Sequence, residues 1–129
     1  MTDPDAASGA PGPGLDEVVL DEAVLATFER AMGPRHAAHF EKRFRLRVAE
    51  FKAVLASDAP AEAKAQVAHK LIALAGNLGC VGLVRASRAI CDAVKQGAGD
   101  VQPAAHAARL AADAALDALS RRTGGPTGP

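Results

Sequence analysis

From residue 21 onward, apolar residues recur along the chain at helical intervals, interrupted by clusters of Gly, Pro, Ser and Asp. The first periodic stretch runs from Asp21, a suitable N-cap, to Met32. It sets Val24, Leu25, Phe28 and Met32 on one face and stops at Gly33-Pro34. The second runs from about Pro34 to Ala56, with Phe40, Phe44, Val48, Phe51 and Leu55 spaced by four or three residues. Ser57-Asp58-Ala59-Pro60 breaks it; Asp58 or Ser57 can cap the next helix, and Pro60 suits a first helical turn. A third stretch spans about Pro60 to Leu78 and ends at Gly79. A fourth spans Val81 to Gln96, burying Leu83 or Val84, Ala86, Ile90 and Val94, and ends at Gly97-Ala98-Gly99. The fifth starts near Pro103, fades by Arg122, and depends on Ala108, Ala112, Ala115, Leu116 and Leu119. No stretch reads as a good strand. Short connections between amphipathic helices imply antiparallel neighbours. The predicted fold is therefore all-α, an antiparallel up-down four-helix bundle with an additional N-terminal helix.

Composition narrows this further. The chain has 129 residues, room for one core, and is 49% hydrophobic but only 3% aromatic, with alanine making up much of the apolar count. Residues 1–14, rich in Gly, Pro, Ala and Asp, read as a disordered tail, as do residues 123–129, leaving 15–122 as the bundle. Fifteen basic residues balance fifteen acidic ones. Such a chain lacks the broad basic surface that binds phosphate backbones, so nucleic acid is not an expected partner. Cys80 and Cys91 form neither a CxxC pair nor a disulfide framework. No apolar run nears the roughly 18 residues of a membrane span, and no signal-peptide pattern is evident. The expectation is a cytoplasmic protein with reduced thiols and no membrane contact.

Candidate chemistry gathers on the third helix. On a wheel advancing about 100° per residue, Val67, Leu71, Leu74 and Leu78 lie opposite His69. That places the core on one side and the imidazole in solvent on the other. Glu62, Ala65, Gln66, Ile72, Ala73 and Gly76 share the histidine's face. A glycine inside a helix costs about 0.5–1 kcal/mol relative to alanine. Small residues around an imidazole make sense if another protein must approach it closely. A free imidazole is substantially neutral at cell pH and needs no partner base to act as a nucleophile. Its phosphoramidate is labile, so a phosphoryl group taken up can be passed on. The metal and acidic cluster that stabilise the transferring group can sit on the partner.

The run Ala68-His69-Lys70-Leu71-Ile72-Ala73-Leu74-Ala75-Gly76-Asn77-Leu78-Gly79 resembles the signature of histidine-containing phosphotransfer (HPt) domains, A-H-x-L-K-G-x-A-x-x-x-G. Ala68, His69, Leu71, Ala75 and Gly79 match in register, and Leu83 falls where that family often has an apolar residue. Leu20-Asp21 and Gly33 flank a helix similar to the family's first, and Cys91 to Gly97 resembles the end of its fourth. The resemblance covers most of residues 20–120, although its specificity lies in residues 68–83. It implies a monomeric, cytoplasmic phosphoprotein of two-component signal transduction. Such a protein is a phosphotransfer intermediate rather than a self-sufficient enzyme. His69 would be the phosphoacceptor, with Gln66, Lys70 and Ala73 around the phosphoryl group. Glu62, Ala65, Ile72 and Gly76 would form the docking face. The implied partners are response-regulator receiver domains and a sensor or hybrid histidine kinase. The protein itself would hold no cofactor, and Mg2+ would be on the receiver. Two positions depart from the pattern. The family lysine three residues after the histidine is Ile72, and the glycine after it is Ala73. In the family that lysine helps orient and neutralise the phosphoryl group, and Lys70 starts about 100° round the helix from His69.

Other readings of the same residues compete. The second helix carries Arg35, His36, His39, Lys42, Arg43, Arg45, Arg47 and Lys52 against Glu41 and Glu50. This is either a solvated face or a steering surface for an acidic receiver domain. His36 and His39 stand at i, i+3 but gain no third ligand at metal-binding spacing, so no metal site is expected. Residues 67–90 with Arg85, Ser87 and Arg88 faintly resemble a helix-turn-helix DNA reader, which the balanced charge disfavours. The stronger rival is a degenerate HPt-like bundle that binds a kinase or receiver as a regulatory adaptor without carrying phosphate.

Overall fold

The computed structural model describes residues 18–127. Five helices succeed one another, and no strand forms among the described residues: α1 (Glu22–Met32), α2 (Pro34–Ala56), α3 (Ala61–Asn77), α4 (Val81–Lys95) and α5 (Gln102–Thr127). The chain is an all-α bundle. The tail reading for residues 1–14 falls outside the described residues. The last helix continues to Thr127, past Arg122 where its apolar pattern fades.

Helix ends obey local chemistry. The Asp21 carboxylate accepts hydrogen bonds from the amides of Ala23 and Val24 at 3.1 and 3.2 Å, capping α1. Gly33 alone joins α1 to α2 with φ +83°, a conformation that other residues rarely adopt. The expected side-chain cap for α3 is absent. Pro60 occupies the N-cap, while the Ser57 hydroxyl donates to the Val54 carbonyl at 2.7 Å and accepts from the Ala59 amide. Ser57 closes α2 rather than opening α3. After α3, the Cys80 amide reaches back to the Ala75 carbonyl at 2.9 Å, and Gly79 sits at φ +74°.

In the bundle, α2 packs on α3, α3 on α4, α4 on α5 and α5 back on α2; α1 lies across α2 and the end of α3. Phe44, Val48, Phe51 and Leu55 of α2 are buried, and Phe40 is half-buried with its ring edge-on to Phe28, centroids 4.8 Å apart. Facing them, α5 buries Ala105, Ala108, Ala112, Ala115 and Leu119. Bulk on α2 and alanine on α5 complement one another, because small residues let a helix approach while large ones fill the centre. Each large side chain so buried contributes about 1.5–3 kcal/mol. Arg122 fastens α1 to α5 by forking onto Glu29 at 2.9 and 3.0 Å and reaching Glu22 at 2.9 Å. On α1, only Leu25 is fully buried; Val24 and Met32, expected on its inner face, are exposed.

Candidate functional site

The middle of α3's buried face is not where the wheel of large residues puts it. Lys64, Ala68, Leu71 and Ala75 are the buried residues of the helix, and Leu78 is buried at its C-cap. Val67 and Leu74 are only half-buried. The face is turned about 60° from the expected one, so His69 points about 130° from its centre. The cause is the pair of neighbours. Val67 and Leu74 flank the α2 side, where they line a hollow with Arg43 and Arg47. Ala65 and Ile72 flank the α4 side, where the Cys91 thiol donates to the Ala65 carbonyl at 3.5 Å. Alanines take the line of closest approach between them.

His69 remains exposed, and its side chain has no hydrogen-bond or ion-pair partner among the described residues. Glu62, Gln66, Lys70, Ala73 and Gly76 are exposed around it. Ala65 and Ile72, expected on the same open face, are half-buried and stand at its edge. Gly76 lies about 20° from His69 on the wheel, two turns along the helix. A Cβ added there would meet nothing within 4 Å. No contact among the described residues therefore requires glycine at this place.

Two hollows flank this ridge. The one between α2 and α3, about 350 Å³, has Val67, Leu71 and Leu74 as an apolar floor, with Arg43, Arg47 and Lys70 around it. Arg47 is engaged by Glu50 at 3.2 Å, whereas Arg43 and Lys70 have no ionic partner among the described residues. The other, about 580 Å³, runs from Gly76 across Val81 and Val84 to Arg85, Arg88 and Asp92 of α4. Arg85 and Arg88 are exposed and equally without a partner among the described residues. In the sequence these two arginines connect only with DNA reading. Their i, i+3 spacing is visible there, but their place beside Gly76 depends on how α4 packs against α3. Ser87 between them is wholly buried, so it could not reach a duplex.

The remaining candidates are quiet. Burial pushes the Cys80 thiol up to about 12, with Glu41 adding to the rise, and Cys91 is raised by burial and then by Asp92. Neither is poised as a thiolate nucleophile. Cys91, expected in the core, is half-buried against it. His36, His39 and His106 are exposed, and no group of three metal-ligating side chains forms among the described residues. None of the described helices is long and apolar enough to cross a membrane. Comparison of the chain with protein-family models, with curated proteins and with solved structures finds no match in any of the three.

Proposed function

We propose that the chain is a phosphohistidine carrier, a histidine-containing phosphotransfer protein of a multistep phosphorelay. What carries this reading is the combination of His69, exposed and unpartnered among the described residues, with Gly76, where an added Cβ would meet none of them. A rigid helix presents the imidazole, and the space beside it suits a partner that must come close.

The chemistry asks little of the carrier. A ring nitrogen of His69 forms a bond to the phosphorus of an aspartyl phosphate on a receiver domain. The P–O bond to the aspartate breaks, and the carboxylate leaves with the electron pair. The proton on the other ring nitrogen passes to solvent. Return to a second receiver is the reverse of these steps. The receiver or kinase supplies Mg2+ and the acidic cluster. Glu62, Gln66, Ala73 and Gly76 are the surface on which the partner sits, with Ala65 and Ile72 at its margin. The basic rim of Arg43 and Lys70 steers an acidic partner toward it.

The experiment is transfer of labelled phosphate from a panel of phosphorylated receivers to the purified chain. Label should be acid-labile and absent from His69→Gln, whose stability should stay within about 0.5 kcal/mol of the wild type. Label on that variant, or on His36, His39 or His106, would refute the assignment.

A second reading is favoured by one observation, the apolar Ile72 where the family has lysine. It is a degenerate bundle that docks on a kinase or receiver without carrying phosphate. Ile72→Lys separates the two. For a weakened carrier, the added ammonium raises the transfer rate, since it lies about 60° from His69 and can reach a phosphoryl oxygen. For an adaptor in which Ile72 touches the partner, the same change weakens binding by about 1 kcal/mol or more. Tight binding of a receiver with no transfer from any donor would leave only the adaptor.

A further inference from the structure

The rotation of α3 that buries Ala68 and Ala75 leaves the larger Val67 and Leu74 half-buried on the flank facing α2. With the buried Leu71 between them, they form the floor of the hollow of about 350 Å³. Apolar side chains in this position gain by losing their remaining contact with water. The rim above them is cationic and only partly neutralised. Glu50 stands on it but engages Arg47 at 3.2 Å. Arg43 and Lys70 are exposed there without an ionic partner among the described residues.

We infer that this hollow binds a free single-chain anionic amphiphile, a fatty-acid carboxylate. Its alkyl chain lies on Val67, Leu71 and Leu74, and its headgroup meets Arg43 and Lys70. Charge and size both favour this occupant. An apolar floor alone would take any alkyl chain, and cations alone any anion; side by side they call for a molecule with both parts. The guanidinium of Arg43 offers a fork that matches a carboxylate, and Lys70 adds a mobile point charge. Sites for small ligands enclose about 300–1,000 Å³, so a hollow of about 350 Å³ suits one short chain. Ala73 borders the hollow and also lies on the open face of His69, about 40° from it on the wheel. A bound chain therefore covers one edge of the docking face and neutralises the two cations that steer an acidic partner. That consequence rests on the carrier reading; the binding itself does not.

The test needs no phosphate, so failure of the carrier reading would leave its outcome standing. The 15N-labelled full chain is titrated with decanoate below its micellar concentration. The amide resonances of Val67, Lys70 and Leu74 should move and saturate, while those of Arg85 and Arg88 on α4 stay in place. Acetate, the headgroup alone, and decylammonium, the chain with the opposite charge, should not saturate them. Arg43→Gln together with Lys70→Gln should weaken decanoate binding about tenfold, as loss of a charge-assisted contact does. Unmoved resonances at Val67, Lys70 and Leu74 would overturn the proposal and leave the hollow to a protein partner. Equal movement of Arg85 and Arg88 would also overturn it, since any exposed arginine would then attract the anion. So would saturation by acetate or decylammonium, or undiminished affinity in the double variant.

Discussion

Gly76 and Gly79 stand three residues apart near the end of α3, and they are glycines for opposite reasons. At Gly79 the backbone takes φ +74°, and a Cβ would collide with the Asp21 carbonyl oxygen at 2.5 Å. The incoming chain lies directly on it. At Gly76 the backbone is ordinary helix and nothing lies within 4 Å of an added Cβ. One glycine is explained by the interior of this molecule. The other lies on the face of His69, and nothing among the described residues requires it. The inner end of α3 is shaped by contacts within the fold, whereas its outer face is the one that the proposed function assigns to a partner.

The sharpest way to break this contrast is at the inner position. Gly79→Ala should cost about 2–4 kcal/mol, since it combines a left-handed backbone with a contact against unyielding main chain. Denaturant unfolding would show it. A loss no larger than that of an ordinary surface change would mean the Asp21 segment yields easily.

The neighbouring Cys80 sharpens the same point through pH. Its folded-state pKa of about 12 lies above the unfolded value near 9, so the unfolded chain gives up this proton first. The stability this thiol contributes is whole below pH 9 and is lost as pH rises toward 12. Its slope can reach about 1.4 kcal/mol per pH unit. In Cys80→Ala that part of the slope should disappear from unfolding measured between pH 9 and 12. An unchanged slope would show that Cys80 is not the group responsible.

The smallest expected effect on stability is at the outer position, and its sign is reversed. Gly76→Ala should stabilise the chain by about 0.5–1 kcal/mol, because it relieves the entropy cost of a helical glycine without a clash. Under the proposed carrier function, Gly76→Leu should leave the fold intact yet slow phosphoryl transfer to His69, measured in a single turnover. Equal transfer by Gly76→Leu would show that no partner uses the space.

Most element boundaries were legible because punctuation residues mark them: Asp21 as a cap, Gly33-Pro34 as a stop, Gly79 before α4, Gly97 after it. Each acts through its own dihedral or hydrogen-bonding preference and needs no distant partner. The long stripe of Phe44, Val48, Phe51 and Leu55 was equally plain, since no other face of α2 could be the inner one. The alanine stripe of α5 also held, with Leu116 only half-buried at its edge. The faces of α1 and α3 were harder. On α1, Val24 and Met32 fit an apolar stripe, but a helix lying across one corner of a bundle buries only a narrow line around Leu25. On α3, alanine, leucine and valine occur on nearly every side, and hydrophobicity ranks Val67 and Leu74 above Ala68 and Ala75. Packing ranks them the other way.

The sequence by itself determined the five helices of the described residues, where most of them begin and end, and that His69 lies outside the core. These rest on short-range preferences and on a stripe wide enough to survive an error of about 60°. Only the tertiary structure decided how far α3 turns, that Ala65 and Ile72 withdraw to the margin, and that Arg85 and Arg88 come to stand beside Gly76. Those depend on how closely α2 and α4 approach α3. Closeness is a property of two surfaces in contact, governed by the size of the residues along their shared line rather than by the preference of either helix alone.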